Sequence, residues 1–178
     1  GEPTPYYSAR SSYSGVIDLA GFKKDRFWLY QARWRPELRL AHLLPSWNWP
    51  DRLGKITPVH LFTSGDEAEL FLNGESQGRV KKGPYEYRLR WDSVKYEPGI
   101  LKAVVYKEGV RWAEARVETT GLPSKLKAKA DRNVISADGK DLSFITVRVT
   151  DRKGRTIPDA CNFIDFTVSG PGESVATD

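Results

Sequence analysis

Glu67-Ala68-Glu69-Leu70-Phe71-Leu72-Asn73-Gly74 is the stretch that decides the fold. Side chains along an extended strand point alternately to opposite faces. Ala68, Leu70 and Leu72 therefore share one face, and Glu67 and Glu69 the other, which is the solvated side. Asn73-Gly74 follows with two residues that tolerate positive φ, the requirement of a two-residue type I′ turn. The segment predicts an antiparallel hairpin with one buried face.

The same code extends on both sides. Val59-His60-Leu61-Phe62-Thr63 is rich in strand formers. Tyr85, Tyr87, Leu89 and Trp91 alternate with Glu86, Arg88 and Arg90, predicting a half-buried strand whose aromatic side belongs to the core. Ile100 to Tyr106 reads as another strand, Glu108-Gly109 as a turn, and Ala113, Ala115 and Val117 as one face of the next strand. This cadence is that of an antiparallel sandwich.

Beyond a short linker at Gly121-Leu122-Pro123-Ser124, a second β pattern begins. Leu126, Ala128 and Ala130 share a face, as do Ile145, Val147 and Val149; Asp151-Arg152-Lys153-Gly154 reads as a turn, and Phe163 to Val168 as a further strand. About 55 residues remain for this module, where a complete immunoglobulin-like sandwich takes roughly 100, so the second sandwich is expected to be truncated. Its apolar strand faces would then be bare, and we expect them to be covered by the first sandwich or by another copy of the chain, making a homo-oligomer. Upstream, the stretch to about Pro36 reads as helical: Lys23 to Trp34 lacks Gly and Pro and places Phe27, Tyr30, Gln31 and Trp34 at i, i+3, i+4 and i+7. Asp25 near the start and Arg33 and Arg35 near the end suit the helix dipole.

Composition narrows the function classes. With 39% hydrophobic residues, 12% aromatics and six tryptophans among 178 residues, the chain has enough apolar surface for globular cores. It holds no run of 18 or more apolar residues, so no membrane span is expected. No signal peptide begins it, and the absence of methionine fits a piece of a longer protein. Net charge is +5, but Lys81, Lys82, Lys125, Lys127 and Lys129 are spaced by apolar or acidic neighbours, without the basic stripe that nucleic acid requires. Cys161 is the one cysteine, so no intrachain disulfide forms, and it reads as a small buried hydrophobe. His42 and His60 are isolated, and no metal is expected. No phosphate-binding glycine motif calls for a cofactor. Asp138-Gly139-Lys140-Asp141 lacks calcium-loop spacing and reads as a turn.

Five segments carry a family resemblance: Gly1-Glu2-Pro3-Thr4-Pro5-Tyr6-Tyr7, Asp18-Leu19-Ala20-Gly21-Phe22, His42-Leu43-Leu44-Pro45, Trp47-Asn48-Trp49-Pro50, and the Glu69 to Gly74 hairpin. In this order they resemble the C-terminal half of glycoside hydrolase family 2 enzymes, the β-galactosidases of gut Bacteroidetes in particular. The resemblance implies a mainly β fold in three parts. Residues 1–37 would be the helical C-terminal end of a TIM barrel, 38–121 an immunoglobulin-like β-sandwich, and 122–178 the start of a second, truncated one. The family's acid/base and nucleophile are glutamates of earlier barrel strands, so no catalytic residue is expected here. The segment would brace the upstream barrel, which becomes its partner. A periplasmic or secreted location is expected on the same ground.

Three residues remain as substrate-binding candidates. Glu2, if it follows the last barrel strand, lies where barrel enzymes build their active sites and could hold a sugar hydroxyl; a loop-stabilising carboxylate is the plainer reading. Trp47 and Trp49 could stack on a sugar ring, making a carbohydrate-binding module, or could wedge the sandwich against the barrel. Their alternate spacing points the rings opposite ways, so one at most faces a ligand. Glu67 and Glu69 share a solvated face without the burial that raises a catalytic carboxyl's pKa. An adhesin-like stack of immunoglobulin domains would not begin with an aromatic helix.

Overall fold

The computed structural model describes residues 15–18 and 20–177. The chain divides into two compact units: the first ends at Glu118 and also takes in the chain from Gly170, and the second is Thr119–Ser169.

The first unit opens with a tight turn. Asp18 N–H donates to Phe22 O at 3.0 Å, Phe22 N–H donates to Asp18 Oδ1 at 2.7 Å, and Ile17 bridges Lys23 in antiparallel fashion. The expected helix is therefore shorter than the sequence suggested: Ile17 and Asp18 are turned back onto Phe22 and Lys23, with Gly21 at φ +85° and Asp18 offering its own carboxylate to the backbone. Helix α1, Asp25–Trp34, follows.

Two antiparallel sheets come next. One contains β1 (Ala41–Leu44), β2 (Val59–Thr63) and β5 (Leu89–Trp91), in the order β1-β2-β5. The other contains β3 (Glu67–Leu72), β4 (Glu75–Lys81), β6 (Ile100–Lys107) and β7 (Val110–Glu118), in the order β4-β3-β6-β7. Leu43, Val59, Leu61, Leu89 and Trp91 from the first sheet meet Ala68, Leu70, Leu72, Leu101, Ala103 and Val105 from the second in one buried core. Full burial of such an aliphatic side chain stabilises by about 1.5–3 kcal/mol relative to exposure.

The quoted hairpin forms as read. Asn73 and Gly74 take φ 51° and 91°, and Leu72 pairs with Glu75 across the turn. Glu108-Gly109 repeats the device, with φ 52° and 77° between paired Lys107 and Val110. Asn73 also pins the start of β6: its Oδ1 accepts from Ile100 N–H at 2.9 Å, and its Nδ2 donates to Pro98 O at 3.2 Å.

Two strand readings need correction here. Only Leu89–Trp91 of the Tyr85–Trp91 alternation is strand, and Tyr85 and Tyr87 are 98% and 53% exposed. The β2–β5 pairing runs from Val59–Trp91 through His60–Arg90 to Leu61–Leu89 and stops there, so the chain before Leu89 is not paired to β2. Conversely β1 went unread, because four residues between Leu40 and Pro45 are too few for periodicity to declare itself.

The second unit pairs β8 (Lys125–Ala130) with β9 (Ile145–Thr150) in perfect register, Leu126 opposite Val149 and Ala128 opposite Val147. Phe163 to Val168 is not strand, and Phe163 is 92% exposed. The Asp151–Gly154 turn is built on a carboxylate. Asp151 is buried; its Oδ1 accepts from the N–H groups of Lys153 and Arg155, and its Oδ2 from Gly121 N–H at 3.0 Å and Arg155 Nε at 2.7 Å. The Gly121 amide, followed by Arg155, holds the Asp151 carboxyl well below the usual carboxylate range. Asp138-Gly139-Lys140-Asp141 is a turn of the same type, with Asp138 Oδ1 accepting from the N–H groups of Lys140 and Asp141.

Candidate functional site: a helix anchored to the sheet

Helix α1 and the chain leaving it are fastened to the first unit by side chains from four strands. At the N-terminal end of the helix, Asp25 Oδ1 lies 2.7 Å from His42 Nε2 on β1. The His42 ring stacks on Trp28 of α1, centroids 5.3 Å apart, and extends toward Phe62 of β2. Ala32, one turn beyond Trp28, is the one buried residue of the helix. The inner face of α1 is thus Trp28 and Ala32, laid over the outer side of β1 and β2.

Past the helix, residues 36–40 form a strap. Lys107 Nζ donates to Pro36 O at 2.7 Å, Ser64 Oγ donates to Leu38 O, and Thr63 Oγ1 donates to Leu40 O at 2.6 Å. Leu40 N–H returns a bond to Ser64 Oγ, which also accepts from Trp112 Nε1 at 2.9 Å. The Trp112 ring receives Arg39 and Lys107 as cation–π partners at 5.3 and 4.6 Å. Lys82 Nζ closes the network on Thr63 O at 2.9 Å, and burial pushes its ammonium pKa down. Thr63 and Ser64 are buried polar residues whose bonds are made to the strap, as buried hydroxyls require. No periodicity in the sequence announced this network; Ser64, Trp112 and Lys107 acquire their role only when β2, β6 and β7 converge.

The residues singled out from the sequence lie elsewhere. Glu2 falls outside the described residues. Trp47 is 1% exposed, packs against Tyr96 at 5.0 Å and donates Nε1 to Glu97 O at 2.9 Å. It is a core residue of its own unit. Trp49 keeps 36% of its surface, with Nε1 donating to Ser46 O. Glu67 pairs with Arg79, and Glu69 accepts from Ser76 Oγ at 2.6 Å, so both are engaged on the β3–β4 surface. His60 lies on the outer side of β2, where burial, followed by the nearby Arg88 and Arg90, lowers its pKa. Cys161 is exposed, which corrects the expectation of a buried hydrophobe; it sits in the strandless stretch after Ile157.

A cleft of about 340 Å³ beside the hairpin is lined by Asn73, Glu75, Gln77, Ser93, Lys95 and Glu97 together with Leu72. No aromatic ring borders it, and Asn73 has both side-chain ends spent on Pro98 and Ile100. Among the described residues, no three His, Cys, Asp or Glu side chains come together to hold a metal ion.

Residues 54–113 match the family described as "Domain of unknown function (DUF4982)", and residues 126–178 match "Glycoside hydrolase family 2 C-terminal domain 5". Among curated proteins, the chain is 45% identical to the β-galactosidase BoGH2A of Bacteroides ovatus over 173 residues, covering 97% of this chain and 20% of that enzyme. It is 34% identical to a putative β-glucuronidase of Formosa agariphila, covering 91% of this chain and 16% of the relative. A crystal structure of a glycosyl hydrolase family 2 member from Bacteroides cellulosilyticus superposes with a TM-score of 0.76 at 33% identity, covering 82% of this chain and 22% of that one. The chain thus spans about a fifth of the length of these relatives, and throughout that span it is homologous to the C-terminal region of glycoside hydrolase family 2 enzymes.

Proposed function

We propose that this chain is the non-catalytic C-terminal accessory segment of a β-galactosidase-like glycoside hydrolase, and that it braces the enzyme's catalytic barrel. On this reading residues 1–37 end the barrel, 38–121 form an immunoglobulin-like sandwich and 122–178 begin a second one. The observation that carries the proposal is the double fastening of α1, by Asp25–His42–Trp28 at one end and by the Pro36–Leu40 strap at the other. A helix belonging to the barrel, held this way by a sandwich, transmits rigidity between the two. Retaining glycosidases need two carboxyl groups about 5–5.5 Å apart; Glu67 and Glu69, the pair singled out from the sequence, are instead committed to Arg79 and Ser76.

The isolated chain is expected to hydrolyse no nitrophenyl β-galactoside, while the parent enzyme without this segment unfolds at lower temperature. Turnover by the isolated chain that Glu2→Gln abolishes would overturn the proposal. A carbohydrate-binding role is the second reading, favoured by the exposed Trp49 ring, and calorimetry against galactosides tests it by comparing the chain with Trp49→Ala.

A further inference from the structure

Lys125, Lys127 and Lys129 stand at every second position of β8, so their side chains share one face of the strand. Pairing with β9 adds to that face: Arg148 lies directly opposite Lys127, with Thr150 opposite Lys125 and Thr146 opposite Lys129. Leu126, Ala128 and Ala130 meet Val149, Val147 and Ile145 on the reverse side. The two-stranded sheet is thus sorted into a basic face and an apolar one, and a layer laid over the apolar side leaves the basic side in water. All four cations are exposed, and among the described residues none of them has an acidic partner. Carboxylates of the same unit are committed elsewhere. Asp131 and Asp141 pair with Arg132, Asp138 accepts from the amides of Lys140 and Asp141, and Asp151 pairs with Arg155.

We infer that this basic face binds an acidic polysaccharide, a sugar chain bearing carboxylates at intervals. Like charges directly opposite each other on neighbouring strands are destabilising, and the Lys127–Arg148 pair is such a couple. An anionic chain lying across the strands relieves that repulsion. The spacing fits a sparsely charged polymer: alternate residues of a strand lie about 6.6 Å apart, whereas duplex DNA carries one charge per about 1.7 Å. The six positions of the face also hold no aromatic ring to stack on a base and no large apolar side chain to enter a lipid layer. Ammonium and guanidinium groups take the carboxylates, and the Thr146 hydroxyl is placed among them to meet a sugar hydroxyl. This role is independent of the bracing of a barrel, since it belongs to the second unit and asks nothing of α1 or the strap.

The test is calorimetry of the 178-residue chain with polygalacturonate, a uronate polymer, and with neutral galactan. Binding to polygalacturonate alone is expected, and it should vanish in about 1 M salt, where the Debye length falls to about 3 Å. Lys127→Gln/Arg148→Gln should weaken it by about tenfold or more, the removal of two contacts each worth up to about 1 kcal/mol. Lys81→Gln/Lys95→Gln removes the same charge from the first unit and should leave the dissociation constant within about twofold. Lys127→Arg/Arg148→Lys keeps both charges and should bind like the unchanged chain, which tells lost charge from a lost fold. No binding to polygalacturonate overturns the inference, as does an equal loss in the two Gln variants, which would reduce the effect to net charge. Loss of binding in the charge-preserving swap overturns it too. So does tighter binding at the same salt to duplex DNA or to vesicles of equimolar phosphatidylserine and phosphatidylcholine, since the face would then belong to another class of polyanion.

Discussion

In the first unit Leu70 and Leu101 have 0% of their surface exposed; in the second, Leu126 and Ile145 alternate just as regularly and remain 58% and 62% exposed. The first unit has two sheets to set face to face, so alternation becomes burial. The second has one two-stranded sheet, whose side of Leu126, Ala128, Ile145 and Val147 meets no second layer within its unit. What the second unit buries most completely is polar: Thr150 and Asp151, each 2% exposed. One unit is thus held by an apolar core and the other by a carboxylate that gathers the amides of Gly121, Lys153 and Arg155. A strand's period tells which residues share a face; only a second layer decides whether that face is dry.

That contrast is sharpest where a core side chain is removed. Leu70→Ala is expected to cost about 2–5 kcal/mol of the first unit's stability in urea unfolding, through lost burial plus the cavity left behind. Ile145→Ala in the second unit serves as its counterpart. A loss as large there would break the comparison, because it would mean that the open face is covered in solution.

Gly99→Ala follows in size. Gly99 has φ +144°, and a Cβ placed there would lie 1.8 Å from Asn73 Oδ1. The substitution must displace the side chain that holds Ile100 and Pro98, and it adds backbone strain of order 1–3 kcal/mol. Chemical shifts of the β3–β4 turn and the start of β6 should move together, with the second unit's resonances unchanged.

Acid should separate the units. The Asp151 carboxyl has its pKa lowered from 3.8, so its contribution is fully present above that pH and is lost as pH falls toward the folded-state value. Hydrogen exchange at the Gly121, Lys153 and Arg155 amides is expected to quicken between pH 5 and about pH 2, while amides of β3 and β6 stay protected. Asp151→Asn should remove most of this pH dependence. Equal acid sensitivity in both units would show that the carboxylate is not what organises the second.

The smallest effect lies at the helix anchor. Asp25→Asn removes a charge from a half-exposed pair with His42 and is expected to cost about 0.5–1.5 kcal/mol. The change is read as faster amide exchange in α1 without a shift in the β6–β7 pairing.

Much of the first unit was legible because its turns carry their own chemistry. Asn73-Gly74 and Glu108-Gly109 adopt positive φ locally, and the strands they join cannot then slip register without turning their apolar sides outward. The tyrosines at 85 and 87 misled for the opposite reason: alternation there is real, but the pairing with β2 stops at Leu89. Trp47 and Trp49 are alike in sequence and unlike in place, since one ring fills the core beside Tyr96 and the other stays at the surface.

By itself the sequence determined the hairpins, the run of strands, the helix ending at Trp34 and the family to which the region is related, because each depends on neighbours a few residues apart or on matched motifs. Only the tertiary structure decided which side of α1 lies on the sheet, that Ser64, Lys107 and Trp112 hold the strap, and that Cys161 stays at the surface. Those outcomes depend on groups far apart along the chain, such as Lys107 and Pro36, and their contact is set by how sheets stack rather than by any local period.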